Sequence, residues 1–454
     1  MMSLAGIAIA LTRFSSRYVP GAFSIACLLT FVTVVLGMTV GGATPVEVIK
    51  AWGDGFWALL TFGMQMCLVV FCGYLVAISP VVRRALRWIA ALPPNPTAAV
   101  MAMAAVAMIV AWINWGLGLA TSAVMVGFVA RRHPDADYRL LVAVAYFGLG
   151  ATWHAGPSGS VPLLLATPEN FLIKGGILAE TISMARTVWT PFNLIFAGGM
   201  LCVLTGLAGL LHPKRGQRVG VSAQVAEQVA ALDQQGSDSA RGESSTVAER
   251  IERLPLVNLL LGAMMLVWLI LHFADKGFVA GLNLNVVNFI FFFLAIWLHG
   301  RPKALGEAAA HAVRHVHGIV LQFPLYAGMF GIISSTSLAR KIADAFVALA
   351  SARSLPLVTF WYSGVLNYFV PSGGSKWAIE APYLIAAGRR LGVSPERVAM
   401  AYAYGDMSTN LIQPFWAIPL LSVAELEFSE ILGFEMIAFL LYAGITSLVL
   451  YFVY

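Results

Sequence analysis

The chain is short of charge. Asp, Glu, Lys and Arg make up 11% of its 454 residues, against 59% hydrophobic residues and a mean hydropathy of +0.81. Soluble domains carry about 25% charged residues, so the composition excludes a soluble globular fold. Cysteine is scarce too. Cys27, Cys67, Cys72 and Cys202 lie inside apolar runs and no Cys-x-x-Cys pair exists, which sets aside a disulfide framework and a zinc site. There is no Gly-x-Ser-x-Gly elbow and no His-Glu-x-x-His pair, which weighs against a membrane-embedded hydrolase even though Ser158 and Ser160 follow His154. Nothing resembles a channel selectivity filter. No small-residue cleavage site follows the first apolar run, so it reads as a retained span preceded by Arg13 and Arg17. The net charge of +6 fits basic loops beside a membrane, not a nucleic-acid partner.

What is abundant is apolar sequence in lengths near 18 residues, enough for a helix to cross a bilayer. Spans are expected at 20–41, 54–79, 139–156, 190–211, 254–272, 282–299, 316–337, 395–413 and 432–454. Two further stretches, 95–130 and 356–388, are each too long for one helix and leave no loop for two full spans. They read as re-entrant hairpins with tips at Asn114-Trp115-Gly116 and Pro371-Ser372-Gly373-Gly374. The fold class is therefore an all-α polytopic membrane protein with about 9–11 transmembrane helices plus two hairpins. Counting Lys and Arg by side favours a cytoplasmic N-terminus. Residues 212–253 form the one long polar segment and read as a flexible cytoplasmic linker between membrane halves 1–211 and 254–454.

The halves look related. Each hairpin is followed by a helix that ends in two prolines five apart and then Leu-Leu: Pro157 and Pro162 in HAGPSGSVPLLLA, Pro414 and Pro419 in NLIQPFWAIPLLS. Each hairpin holds an Asn beside an aromatic, Asn114-Trp115 and Asn367-Tyr368. Five helices lie between the hairpins, an odd number, so the second copy is expected inverted. Inverted repeats with broken helices at matching places characterise secondary transporters.

Breaks in lipid must be buried or line a wet cavity, and half-helix N-termini there suit a carboxylate. The candidate substrate groups are Asn114, His154, Ser158, Ser160, Asn367, Ser372, Gly373, Gly374, Ser375, Lys376 and Gln413. Asp406, with Ser408, Thr409 and Asn410, is the candidate cation-coupling set, because a carboxylate in a span is a functional hypothesis by default. A structural hydrogen-bond network is the competing reading for Asp406, and a plain buried histidine for His154. Lys376 and Glu380, four apart on one helical face, read first as a self-neutralising salt bridge and second as a counter-ion set in which Lys376 meets the substrate. His311, Arg314, His315 and His317 read as a basic interfacial helix. Trp115, Trp153, Trp377 and Trp416 flank the breaks, as packing or as pocket walls.

The segments NWGLGLA (114–120), TWHAGPSGSVPLLLATPENF (152–171), TPFNL (190–194), FVPSGGSKWAIEAP (369–382) and GDMSTNLIQPFWAIPLL (405–421) together resemble the short-chain fatty acid uptake (AtoE) family, within the ion transporter superfamily. The resemblance runs in order across most of the chain. It implies inverted repeats, two re-entrant hairpins and a movable transport domain. It further implies gradient-driven uptake of small monocarboxylates such as acetoacetate or butyrate across the inner membrane, with Na⁺ or H⁺ as coupling ion and no other cofactor. A homodimer is expected by the same resemblance. Lys376 and Glu380 depart from the neutral polar residues that the family tends to have after Pro-Ser-Gly-Gly, which bears on the cargo more than on the fold. The same fold could carry a dicarboxylate, an amino acid or a peptide-like acid.

Overall fold

The computed structural model describes residues 22–221 and 246–454, and every regular element among them is helical. Arg13, Arg17 and most of the expected linker lie outside the described residues. In the first half run α1 (Ala22–Thr39), α2 (Pro45–Gly55), α3 (Leu60–Ile78), α4 (Pro80–Ala91), α5 (Pro96–Ile113), α6 (Trp115–Arg132), α7 (Tyr138–Ala151), α8 (Ser160–Ala166) and α9 (Pro191–Leu210). The second half holds α10 (Pro255–Lys276), α11 (Leu284–His299), α12 (Pro302–Ala312), α13 (His317–Ser335) and α14 (Leu338–Leu349). It continues with α15 (Leu355–Phe369), α16 (Gly373–Leu391), α17 (Pro395–Ser408), α18 (Ile418–Ala424) and α19 (Phe428–Phe452).

Proline sets many of these starts. α2, α4, α5, α9, α10, α12 and α17 each begin on Pro, whose missing N–H costs nothing in the first turn and whose fixed φ suits a helix. A side-chain cap precedes several of them: Thr44, Ser79, Asn95 and Thr190 each accept a first-turn N–H.

Six helices (α3, α5, α9, α10, α13 and α19) are long and apolar enough to cross a membrane; α1 and α11 are shorter apolar helices. Leu259, Leu260, Met264, Ile270 and Leu271 on α10 point outward, a surface that lipid accepts and water does not. The chain is a multi-pass membrane protein. The spans expected at 139–156 and 395–413 are α-helical only as far as Ala151 and Ser408, so their straight parts stop short of a full crossing.

Both expected hairpins are helix pairs that fold back on themselves. The first turns on a single residue: Asn114 ends α5 in an extended conformation (φ −153°, ψ 119°) and caps α6 by accepting the N–H of Leu117. The second turns through Val370, Pro371 and Ser372. Hairpin legs and flanking elements then pack in the same pattern twice. α3 and α4 lie on α6 as α13 and α14 lie on α16, and α5 lies on α7 as α15 lies on α17. The leading helices are exchanged: α1 and α2 pack on α13, while α11 and α12 pack on α3. Small residues permit the closest of these contacts. A side chain at Gly405 of α17 would run into the carbonyl oxygen of Phe360 on α15.

Candidate functional site

The two helix breaks meet in the interior. α7 stops at Ala151, where the hydroxyl of Thr152 donates to the carbonyl of Met108 instead of continuing the helix, and a single turn at Trp153–Ala155 carries His154 inward. His154 is fully buried, with Nδ1 2.9 Å from Oδ2 of Asp406 on α17. The backbone N–H of Val161 donates to His154 Nε2 at 3.2 Å. Nε2 is thus an acceptor, so the proton of a neutral imidazole sits on Nδ1 and is donated to Asp406.

Asp406 also faces Lys376. Lys376 Nζ lies 3.2 Å from Asp406 Oδ1 and 3.5 Å from Glu380 Oε1, and donates to Ser363 O at 3.0 Å and Ser363 Oγ at 2.8 Å. The ammonium also sits 4.2 Å from the centre of the Tyr402 ring. The expected Lys376–Glu380 bridge is present, but Lys376 is nearer Asp406. Burying an ammonium costs several kcal/mol unless partners replace its water; two carboxylates, a serine and a tyrosine face do so here. His154, Asp406, Lys376 and Glu380 thus form one buried chain linking the first break, α17 and the second hairpin.

The hairpin tip closes over this chain. α16 starts at Gly373 with no side-chain cap, leaving the N–H groups of Gly373, Gly374 and Ser375 without intrahelical acceptors. A Cβ on Gly373 would come within 2.6 Å of Asp406 Oδ2 and 2.8 Å of His154 Cε1, so glycine is needed where the tip meets the charged chain. Ser372, Gly373, Gly374, Asp406, Asn367 and Asn410 line a narrow cleft with Ser160 from the first half. Its walls are Trp115, Trp153, Trp416, Met66, Leu149, Ile319 and Phe323. The cleft encloses about 40 Å³, room for a few waters.

Comparison with known proteins decides the family. The profile described as "Short chain fatty acid transporter" matches residues 3–453. The chain is 35% identical to a protein of Escherichia coli (strain K12) over 96% of both chains. It is 36% identical to one of Haemophilus influenzae over 97% of this chain and 98% of that one. Both relatives are provisionally named short-chain fatty acid transporters. The chain belongs to the short-chain fatty acid transporter family. The crystal structure of the Alcanivorax borkumensis YdaH transporter shares the fold, with a TM-score of 0.60 at 16% identity, covering 96% of this chain and 99% of that one. Its relatives are named as transporters, so an enzyme reading is set aside.

Not every sequence-predicted residue of this transporter reaches the cleft. His154, Lys376, Thr409 and Gln413 stand behind it. Asn367 Nδ2 donates to Thr409 Oγ1 at 3.1 Å and Asn410 Oδ1 at 2.8 Å, and Gln413 Nε2 donates to the same Asn410 oxygen at 3.0 Å. Ser375 donates to Ser372. Ser158 accepts the N–H of Trp115, Asn114 caps α6, and Ser408 donates to the carbonyl of Gly405. These three hold backbone. His315 lies against Tyr74 with ring centres 4.5 Å apart and planes tilted by 33°, and among the described residues no His, Cys, Asp and Glu group is arranged to hold a metal.

The sequence reading passed over Ser363 and Tyr402, which seat Lys376, and it passed over an adjoining cavity. This second cavity, of about 340 Å³, runs between α3 and α6 past Val70, Leu119, Ala120, Ala123 and Phe128. Trp115 and Trp416 line both spaces, their rings 5.6 Å apart and nearly perpendicular.

Proposed function

We propose that this chain is a secondary active transporter that imports short-chain fatty acids, small monocarboxylates such as acetoacetate or butyrate, by cation-coupled symport. The observation that carries the reading is the second hairpin's tip, set over the buried His154–Asp406–Lys376–Glu380 chain. The free N–H groups of Gly373, Gly374 and Ser375 take the carboxylate, with the positive end of α16 behind them. Trp115, Trp153 and Trp416 take the short apolar tail. The cleft holds only a few waters, so loading an acid requires the tip to move, and the twice-repeated packing offers the two arrangements that alternating access needs. We read the repeats as inverted, the N-terminus as cytoplasmic, the membrane as the inner membrane and the assembly as a homodimer.

Proteoliposome uptake of labelled acetoacetate and butyrate, with imposed pH and Na⁺ gradients and empty liposomes as background, tests this. Saturable accumulation that follows one of the gradients is expected. A protein that accumulates no acid of two to six carbons under either gradient overturns it.

A further inference from the structure

Charge bookkeeping at the cleft leaves the coupling cation without a place. Both oxygens of Asp406 already face donors, one of them an ammonium, and a second cation there would sit beside Lys376. The hydroxyls of Ser408 and Thr409 donate to the carbonyls of Gly405 and Gly364, and Asn410 Oδ1 accepts from both Asn367 and Gln413. The four side chains expected to bind the cation are engaged with other side chains and with backbone.

A different carboxyl is not. Glu435, two turns into α19, is 0% exposed, and neither of its oxygens has a hydrogen-bond partner among the described residues. α19 packs on α7, on the break at Thr409–Ile412, and on α9, α15 and α17. From α7 comes Tyr146, which interacts electrostatically with Glu435 and whose hydroxyl also lacks a partner. The remaining titratable groups on these elements are committed elsewhere or lie outward. Tyr138, Tyr362, Tyr402 and Tyr404 bond to Ala424, Tyr383, Gly373 and Asn193. Arg139 pairs with Asp137, Glu396 with Arg186, and Arg397 lies over Tyr454. Asp406 belongs to the buried chain, Tyr368 is half-buried, and Cys202 is exposed. The break contributes no titratable side chain. On α19 itself, Glu430 caps the helix start, Tyr451 lies near the far end, and Tyr442 stands two turns beyond Glu435.

We propose that Glu435 is the proton-loading site of the transporter. An ionised carboxylate with neither charge nor donor beside it is prohibitively costly in the interior, whereas the protonated acid is not. The packed arrangement therefore holds Glu435 as the acid. To release the proton to water, α19 must loosen from the break at Thr409–Ile412, and that break carries Asn410 into the cleft wall. One proton enters from the side of higher proton activity, binds the carboxylate and leaves to the other side as the cleft reopens. A sodium ion would need several more oxygens than this site offers. The proposal rests on the acid-transport reading above, and wild-type protein that moves no acid at all would refute that reading instead.

The test uses full-length protein in liposomes, with labelled acetoacetate followed in two assays: accumulation driven by a pH gradient, and counterflow exchange with no gradient. Glu435→Gln mimics the protonated state. It is expected to lose accumulation at least roughly tenfold while keeping counterflow, and Tyr146→Phe is expected to move the pH midpoint of uptake. Gradient-driven accumulation in Glu435→Gln at the wild-type level overturns the proposal. So does loss of counterflow in a Glu435→Gln variant with an unchanged melting temperature, and so does wild-type uptake that follows a Na⁺ gradient and ignores the pH gradient. If Glu435→Gln fails to assemble, Glu435→Asp and Tyr146→Phe decide, and unmoved pH midpoints in both overturn it.

Discussion

His154 and Asp406 stand 252 residues apart in the chain and 2.9 Å apart in the fold. Each comes from one half, His154 at the first helix break and Asp406 just ahead of the second. Because Asp406 also faces Lys376, the three side chains stand or fall together.

Removing one member of a buried ion pair leaves the other charge uncompensated, at a cost of roughly 3–5 kcal/mol, whereas removing both is close to neutral. Asp406→Asn and Lys376→Met are therefore each expected to lower the melting temperature in detergent sharply. The double variant should recover the part of the loss that belongs to the Asp406–Lys376 contact, with Glu380 still left without its ammonium. Additive losses in the thermal-melt cycle would show that the Asp406–Lys376 contact does not carry the coupling.

Gly373→Ala tests how closely the tip must seat. Its added methyl meets Asp406 and His154 inside van der Waals contact, so the tip must lift by a few tenths of an ångström or more. Uptake of acetoacetate should fall by roughly a hundredfold, as a misplacement near 1 Å can cost, with little change in melting temperature. Wild-type uptake by Gly373→Ala would separate the tip from the substrate step.

Much of this architecture is legible from punctuation alone. Proline and glycine cluster at the turn Pro371-Ser372-Gly373-Gly374, and Pro157 and Pro414 follow the interruptions after Ala151 and Ser408, so these breaks stand out inside apolar runs although Pro324 and Pro382 sit within α13 and α16. Asp406 announces itself as a carboxylate in a span. Ser363 and Tyr402 do not, because each is a lone polar residue on an apolar helix, and which neighbour it serves depends on how α15, α16 and α17 pack. Glu435 is as conspicuous an intramembrane acid as Asp406. What no spacing supplies is its contact with the Thr409–Ile412 break, made by a helix that follows in sequence but docks from the side.

The Trp115–Trp416 pair divides the polar cleft from the larger apolar cavity, and Trp416 Nε1 is tied to the hairpin tip by a 2.8 Å hydrogen bond to the carbonyl of Pro371. Trp416→Ala opens that wall and adds apolar space where an acyl tail would lie. Competition assays are expected to show hexanoate gaining on acetate by roughly tenfold, the lower range for added methylenes in an apolar pocket. An unchanged ratio would place the tail elsewhere.

Outside the membrane core, His212 clasps the base of the first hairpin. Its Nδ1 lies 2.7 Å from Thr97 Oγ1 at the start of α5, and its Nε2 accepts the N–H of Asp137 at the start of α7 at 3.2 Å. An acceptor Nε2 requires neutral imidazole. Burial, reinforced by the nearby Arg218, lowers the pKa of His212 below the ordinary 6.5, against a weaker pull upward from Asp137. A histidine whose folded pKa lies below its unfolded value stabilises the fold fully above 6.5, and that contribution is lost as pH falls through the folded pKa. Melting temperature measured from pH 7.5 down to pH 5 should therefore drop more steeply in wild type than in His212→Gln, whose amide keeps both contacts without titrating. Parallel curves for the two proteins would show that this clasp does not titrate in the folded transporter.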